Sequence, residues 1–225
     1  SSNRRQRQMC IRDRANDKDA IVRRDLLTRV QAHLAEGLPV RSMSFDDDEQ
    51  VVLREYALLT SKPVMYVANV DEAGLKGNAY VDALSEYAAA EGAQVVTVCA
   101  AIEAEIAQLE AEDREAFLED LGLGEPGLHR VIRAGYTLLG LQTFFTAGPK
   151  EVRAWTVKVG ASAPQAAGEI HTDFEHGFIR AEVIAYDDYV AGGGEQGAKA
   201  AGRLRVEGKD YVVAEGDVMH FRFNV

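Results

Sequence analysis

Between Asp17 and Glu36 the apolar residues Ile21, Leu27, Val30 and Leu34 recur at helical spacing, and Gly37 followed by Pro39 supplies a stop. This spacing predicts a helix. Asp46 with Glu49 three residues on has the form of a capping box and opens a second helix, with Val52, Tyr56 and Leu59 on one face. A connection of about nine residues lets the two helices form an antiparallel hairpin over residues 17–60.

The period then changes. Pro63–Ala68 is a nearly continuous apolar run of β-formers and reads as a buried strand. Residues 78–91 return to helical spacing with Val81, Leu84 and Tyr87 or Ala88, and Gln94–Ala100 reads as a second buried strand. Strand, helix and strand in this order form one βαβ crossover, which implies a parallel sheet. One such unit cannot cover both faces of a sheet, so further strands are expected. None precedes it here, and the chain therefore reads as the later part of a longer protein.

Helices follow over Ile102–Leu109, Asp113–Leu121 and Leu128–Leu139. Past Gly140 short strands are expected at Leu141–Thr146, Val152–Val159, Phe178–Ile184, Arg203–Val206, Tyr211–Val213 and Val218–Phe223, with one or two helices between them. The fold class is thus α/β over residues 61–140 and α+β over 141–225. Trp155 alternates with Val157 and Val159 and is assigned to the core. Gly192–Gly197 reads as a mobile loop.

Composition narrows the function classes. The 225 residues are 47% apolar and 27% charged, with a net charge of −11. Five arginines against Asp13 make residues 1–14 basic at +4; residues 141–225, with nine cations and twelve carboxylates, carry −3, which leaves −12 for residues 15–140. An acidic body argues against DNA and against an anionic membrane as partners. The basic start has no helical or strand period, and residues 1–16 are set aside as a non-native or disordered leader, with a nucleic-acid arm as the alternative. Two cysteines, Cys10 and Cys99, and no apolar run long enough to span a bilayer point to a reducing compartment and a cytoplasmic location.

Two motifs mislead. Gly122–Gly127 spells G-x-G-x-x-G, but it follows an acidic helix rather than a strand and contains Pro126, so it is not a dinucleotide fingerprint. His171–His176 offers four metal-ligand side chains at a spacing that fits no zinc or iron pattern, and reads as a solvated loop.

The informative place is the end of the first strand, where Asn69-Val70-Asp71-Glu72 sets polar groups at the carboxyl edge of the predicted sheet, the edge at which open α/β sheets bind ligands. In P-loop GTPases the base is read there by N-K-x-D, whose aspartate takes both guanine donors. Here Val70 and Glu72 replace the lysine and the aspartate, so guanine specificity should be lost. The second strand ends in Cys99-Ala100-Ala101, which resembles the S-A-K loop of those enzymes with Cys99 in the serine position.

With these residues, Lys62–Val70 (KPVMYVANV), Glu125–Tyr136 (EPGLHRVIRAGY), Leu141–Gly148 (LQTFFTAG), Gly208–Tyr211 (GKDY) and Gly216–Val218 (GDV) resemble, in family order, the YchF / Obg-like ATPase family. The resemblance covers about residues 17–225. It implies an N-terminally truncated P-loop NTPase: a helical-hairpin remnant over 17–60, the C-terminal part of a Ras-like nucleotide-binding domain over 61–140, and a ubiquitin-like β-grasp TGS domain over 141–225. Family members hydrolyse ATP with Mg²⁺ and associate with ribosomes. The P-loop and the magnesium ligands would lie upstream, so this chain is expected to be inactive alone.

The resemblance makes Asn69, Val70, Glu72, Cys99 and Ala100 the nucleotide-binding candidates, with no catalytic or metal residue in the chain. Lys199, Arg203, Arg205 and Lys209 are the densest basic cluster of the last module and the candidates for contact with ribosomal RNA. The alternative is a self-standing TGS-type module that binds RNA or protein and has no NTPase activity.

Overall fold

A computed structural model describes residues 18–224; the leader reading for residues 1–16, and Cys10 with it, lies outside the described residues. The chain divides into two compact units. One runs up to Ala68 and takes in Gly77–Val95; the other holds Asn69–Lys76 and everything from Val96 onward.

In the first unit, α1 (Lys18–Ala35) and α2 (Asp47–Tyr56) form the expected pair. Asp46 accepts a hydrogen bond from the Glu49 backbone N–H at 2.8 Å while the Glu49 carboxylate accepts from the Asp46 N–H at 3.3 Å, so the capping box is closed in both directions. Arg23 pairs with Glu55 at 2.6 Å and Arg29 with Glu49 at 2.5 Å. Early α1 therefore meets late α2, and the helices are antiparallel. Their shared core is Leu26, Val30, Val40 and Leu53. This shifts the expected phase: Ile21 and Leu34 are exposed, on α2 Leu53 is buried while Tyr56 faces water, and Leu59, exposed too, lies beyond the helix in a 3₁₀ turn. The connection between the helices supplies Val40 to the core, and that non-local contact decides which stripe turns inward.

β1 (Met65–Asn69) and β2 (Gln94–Val98) make a two-stranded sheet and are linked through α3 (Ala79–Ala90), which Asn78 caps by accepting from Tyr80 and Val81 N–H. The expected burial of the first strand is not found, since only Ala68 of β1 is buried and Val67 is 46% exposed. A ribbon of two strands has too few neighbours to cover both faces.

The second unit continues with α4 (Ala100–Ile106), α5 (Ala111–Asp120) and α6 (Gly127–Leu139). Gly140 then adopts a left-handed φ of 59°, ending α6 and starting β3 in one residue. β3 (Leu141–Ala147), β4 (Val152–Lys158), β5 (Phe178–Ile184), β6 (Arg205–Glu207) and β7 (Val218–Phe223) form a five-stranded mixed sheet in the order β4-β3-β7-β5-β6. β3 and β7 are parallel, and the other neighbours are antiparallel. α7 (Ala163–Ile170) lays Ala163, Ala166 and Ala167 against Phe144, Ala181 and Val183, all with zero exposure. Small side chains on the helix bring it close to the sheet.

Several expectations are corrected in this unit. Tyr211–Val213 is not a strand; Val212 makes a single bridge to Ser162, and the Val213 carbonyl accepts from the buried Gln142 amide at 2.7 Å. His171–His176 is largely a short helix, α8 (Thr172–His176), rather than a loop. Trp155, partly buried, packs against the core beside the buried Val157 as expected, with the Arg153 guanidinium 4.0 Å from its ring centroid, but Val159 is 63% exposed. Gly192–Gly197 is not a loop either: α9 (Tyr186–Ala191) and α10 (Glu195–Ala200) turn on Gly192, Gly193 and Gly194. There the backbones of Gly192 and Gly197 touch, and a Cβ on Gly197 would overlap the Gly192 carbonyl oxygen.

Candidate functional site

The candidate nucleotide edge lies within the second unit. Asn69 is the last residue of β1, and its Oδ1 accepts the Ala100 backbone N–H at 3.0 Å. The next residue, Val70, donates its N–H to the Val98 carbonyl at 2.9 Å. These two bonds tie the loop after β1 to the loop after β2, so Asn69, Val70, Cys99 and Ala100 come together as the sequence predicts. The Asn69 Nδ2 makes no hydrogen bond among the described residues, and the side chain is exposed. Its amide therefore has one end engaged and one end available.

Asp71 does local work that the sequence reading missed: its Oδ1 accepts the Gly74 N–H at 2.8 Å, closing a turn that runs into the 3₁₀ segment Ala73–Lys76. Glu72 makes no side-chain hydrogen bond or ion pair among the described residues, and it lines a cleft of about 660 Å³ with Lys76 and Asp120. Neither Asn69 nor Glu72 acts as the cap of this loop, because Asp71 does.

Cys99 precedes α4 and is 4% exposed, against Ile102 and Ile106 and among Leu75, Phe117 and Leu121. Its thiol sits in an apolar enclosure, a setting in which a cysteine behaves as a small hydrophobe.

Glu103, which no pattern in the sequence singled out, sets the far side of the edge. Its two carboxylate oxygens accept the Gly127 N–H at 2.7 Å and the Leu128 N–H at 3.1 Å, both orphan donors of the first turn of α6. A Cβ at Gly127 would lie 2.8 Å from that carboxylate, which is why a glycine opens this helix. One helical turn on, Arg130 donates to the Thr97 carbonyl of β2 at 3.0 Å. Gly122–Gly127 is thus a helix-to-helix connection whose last glycine serves packing. Among the described residues no cluster of His, Cys, Asp and Glu is placed to hold a metal ion.

The four basic candidates do not act alike. Lys199 and Lys209 are exposed and make no ion pair among the described residues, while Arg203 faces Asp188 at 3.6 Å. Arg205 is committed to the fold: its Nη2 donates to the Tyr211 hydroxyl at 3.1 Å and lies 3.4 Å from Asp217, which is 2% exposed. The Tyr211 hydroxyl in turn donates to Asp217 at 2.7 Å. Burial, reinforced by that bond, pushes the Tyr211 hydroxyl up to about 12.

Known proteins resemble the chain over most of its length. Residues 141–224 match the family model YchF-GTPase_C, described as "Protein of unknown function (DUF933)". Over 214 residues the chain is 59% identical to the "Ribosome-binding ATPase YchF" of Haemophilus ducreyi, which covers 95% of this chain and 59% of that protein. It is homologous to YchF and the Obg-like ATPases. The rat "Obg-like ATPase 1" is 42% identical over 217 residues, covering 94% of the chain and 54% of the relative. In three dimensions the chain is similar to the YchF GTPase of Schizosaccharomyces pombe, with a TM-score of 0.77 at 30% identity over 92% of this chain and 57% of that one. The chain thus spans somewhat under three-fifths of the length of the YchF-type proteins it matches.

Proposed function

We propose that this chain carries the base-recognition edge and the C-terminal module of a cytoplasmic, ribosome-associated P-loop ATPase that prefers ATP to GTP. The hydrogen bond from Ala100 N–H to Asn69 Oδ1 carries the reading. It consumes the backbone donor that the guanine O6 would need in an S-A-K loop, and it leaves the Asn69 Nδ2 pointing its capacity at a ring nitrogen. With Glu72 in place of the guanine-reading aspartate, guanine would leave buried polar groups unpaired, and such mismatches discriminate strongly. Val70 is half-buried beside this edge and suits an apolar contact with a ring face.

The order β4-β3-β7-β5-β6, with its first and last strands parallel at the centre, supports assigning residues 141–225 to a TGS domain of the β-grasp type. The helix pair over 17–60 supports the hairpin remnant, and residues 61–140 the end of the Ras-like domain. Bound nucleotide and Mg²⁺ would supply the phosphoryl chemistry. The described residues offer no metal-ligand cluster, so no step is assigned to a metal here. Without phosphate-cradling residues this chain should bind nucleotide weakly and leave ATP uncleaved. The relatives named as ribosome-binding support docking to the ribosome, for which Lys199, Arg203 and Lys209 are available, whereas Arg205 is held by Asp217.

Titration of the chain with ATP and GTP, followed by amide NMR, tests the base reading. ATP should move the Asn69, Glu72 and Ala100 resonances at millimolar concentrations and GTP should move them less, and V70K/E72D should reverse that order by up to about 1–3 kcal/mol. Equal responses before and after the substitutions would refute it, and Mg²⁺-dependent hydrolysis by the wild-type chain would refute the expected inactivity.

A further inference from the structure

The first unit holds an open cleft of about 750 Å³ between the helix-pair connection and the segment leading into β1. Its floor is apolar, from Met43, Phe45 and the buried Leu53, and its rim carries Arg41, Arg54 and Lys62. Among the described residues no carboxylate lines it. In a protein of net charge −11 that is a local inversion of sign.

The inversion has an identifiable origin in the ion pairs nearby. The carboxylates of α2 that make ion pairs are turned away, Glu49 to Arg29 and Glu55 to Arg23 on α1. Arg41 is held by Glu91 at 2.9 Å, and Glu91 also accepts the Tyr66 and Tyr87 hydroxyls. Arg54 and Lys62 are left exposed with no ion pair among the described residues. Two cations with no ion-pair partner among the described residues, at the lip of an apolar, partly desolvated floor, repel a basic segment and favour an anion with an apolar body. The volume suits a small molecule.

From this juxtaposition we infer that the cleft is a binding site for a small amphipathic anion, an aromatic or short aliphatic body bearing one carboxylate, sulfonate or phosphate. The body replaces water over Met43 and Phe45. The anionic group takes charge-assisted hydrogen bonds from Arg54 and Lys62, while Arg41 stays with Glu91. A neutral molecule of the same shape gains only the apolar part.

Two dyes separate these contributions. 8-Anilinonaphthalene-1-sulfonate carries the anion and N-phenyl-1-naphthylamine is the same body without it. The folded chain should bind the sulfonate with one site, about tenfold or more tighter than the neutral amine, as expected for one or two charge-assisted bonds. Amide shifts should be confined to residues 40–63. R54Q/K62Q should bring the sulfonate down to the affinity of the amine and leave the amine unchanged, which shows that the cleft still folds. Phe45→Ala should weaken both dyes. Equal binding of the two dyes to the wild-type chain, or sulfonate binding that survives R54Q/K62Q, would overturn the inference; so would shifts clustered outside residues 40–63. Because these residues are remote in sequence from Asn69 and the test uses no nucleotide, its outcome is independent of the ATPase reading.

Discussion

Removing the Asp217 carboxylate should be among the most damaging single changes to the C-terminal module. Asp217 is 2% exposed and accepts three donors: the Tyr211 hydroxyl at 2.7 Å, the Ala214 N–H at 2.9 Å and, more distantly, Arg205 at 3.4 Å. In Asp217→Ala the first two donors lose their acceptor where water enters poorly, at about 1–3 kcal/mol each. The Arg205 side chain is 47% exposed and recovers its hydration, adding little. The expected loss is therefore about 2–6 kcal/mol, and Asp217→Asn, which keeps one acceptor oxygen, should lose about half as much. Trp155 is the only tryptophan in the chain and belongs to the same sheet, so its fluorescence reports urea unfolding of this module. With a urea slope of about 1–3 kcal/mol/M, the midpoint should fall by about 0.7 M or more. High pH provides a second axis. The folded state holds the Tyr211 proton more tightly than the unfolded chain, so this contribution is complete below about pH 10 and is lost as the pH rises towards about 12. A loss below about 1 kcal/mol in Asp217→Ala would refute the account of the cluster.

Glu103→Ala should cost about 1–3 kcal/mol and speed hydrogen exchange at Gly127 and Leu128 first, because only the Gly127 bond is partly shielded from water. Gly197→Ala should separate α9 from α10 and lower the module's thermal midpoint by an amount equivalent to about 1–3 kcal/mol, since the contact it invades is backbone on both sides. The hydrogen bond from Arg41, with a second from the Tyr66 hydroxyl, holds the Glu91 carboxyl below its usual range. That contribution is present above the unfolded value of about 4.5 and disappears as the pH falls through the folded one, so acid titration of Glu91→Gln by circular dichroism should show a flatter decline below that pH.

The sequence revealed features whose signal is local and hid those made by distant partners. β5 and β7 were legible to the residue because Phe178–Ile184 and Val218–Phe223 are bounded by turns and rich in β-formers. The Asp46–Glu49 cap was legible for the same reason, both halves lying within one turn. The phase of α1 was not, since Leu26 is buried only because Val40 and Leu53 return to it. At the candidate site Asn69 stood out by its place at a strand end. The spacing from Asp71 to Gly74 is a turn signal that was there to be read. Glu103 offered none, being one of many glutamates until the fold sets it under a helix that begins 24 residues later.

The position of β7 has a consequence for how the module is made. It is the last strand of the sheet in sequence and the middle one in space, lying between β3 and β5. During synthesis β3 can pair with β4, and β5 with β6, long before residues 218–223 leave the ribosome, but no strand joins those two pairs until they do. Each pair meanwhile presents an open edge, a ready template for wrong partners. Completion of the sheet is thus a single late event, tied to release of the strand that fills the gap rather than to the order in which the other four appeared.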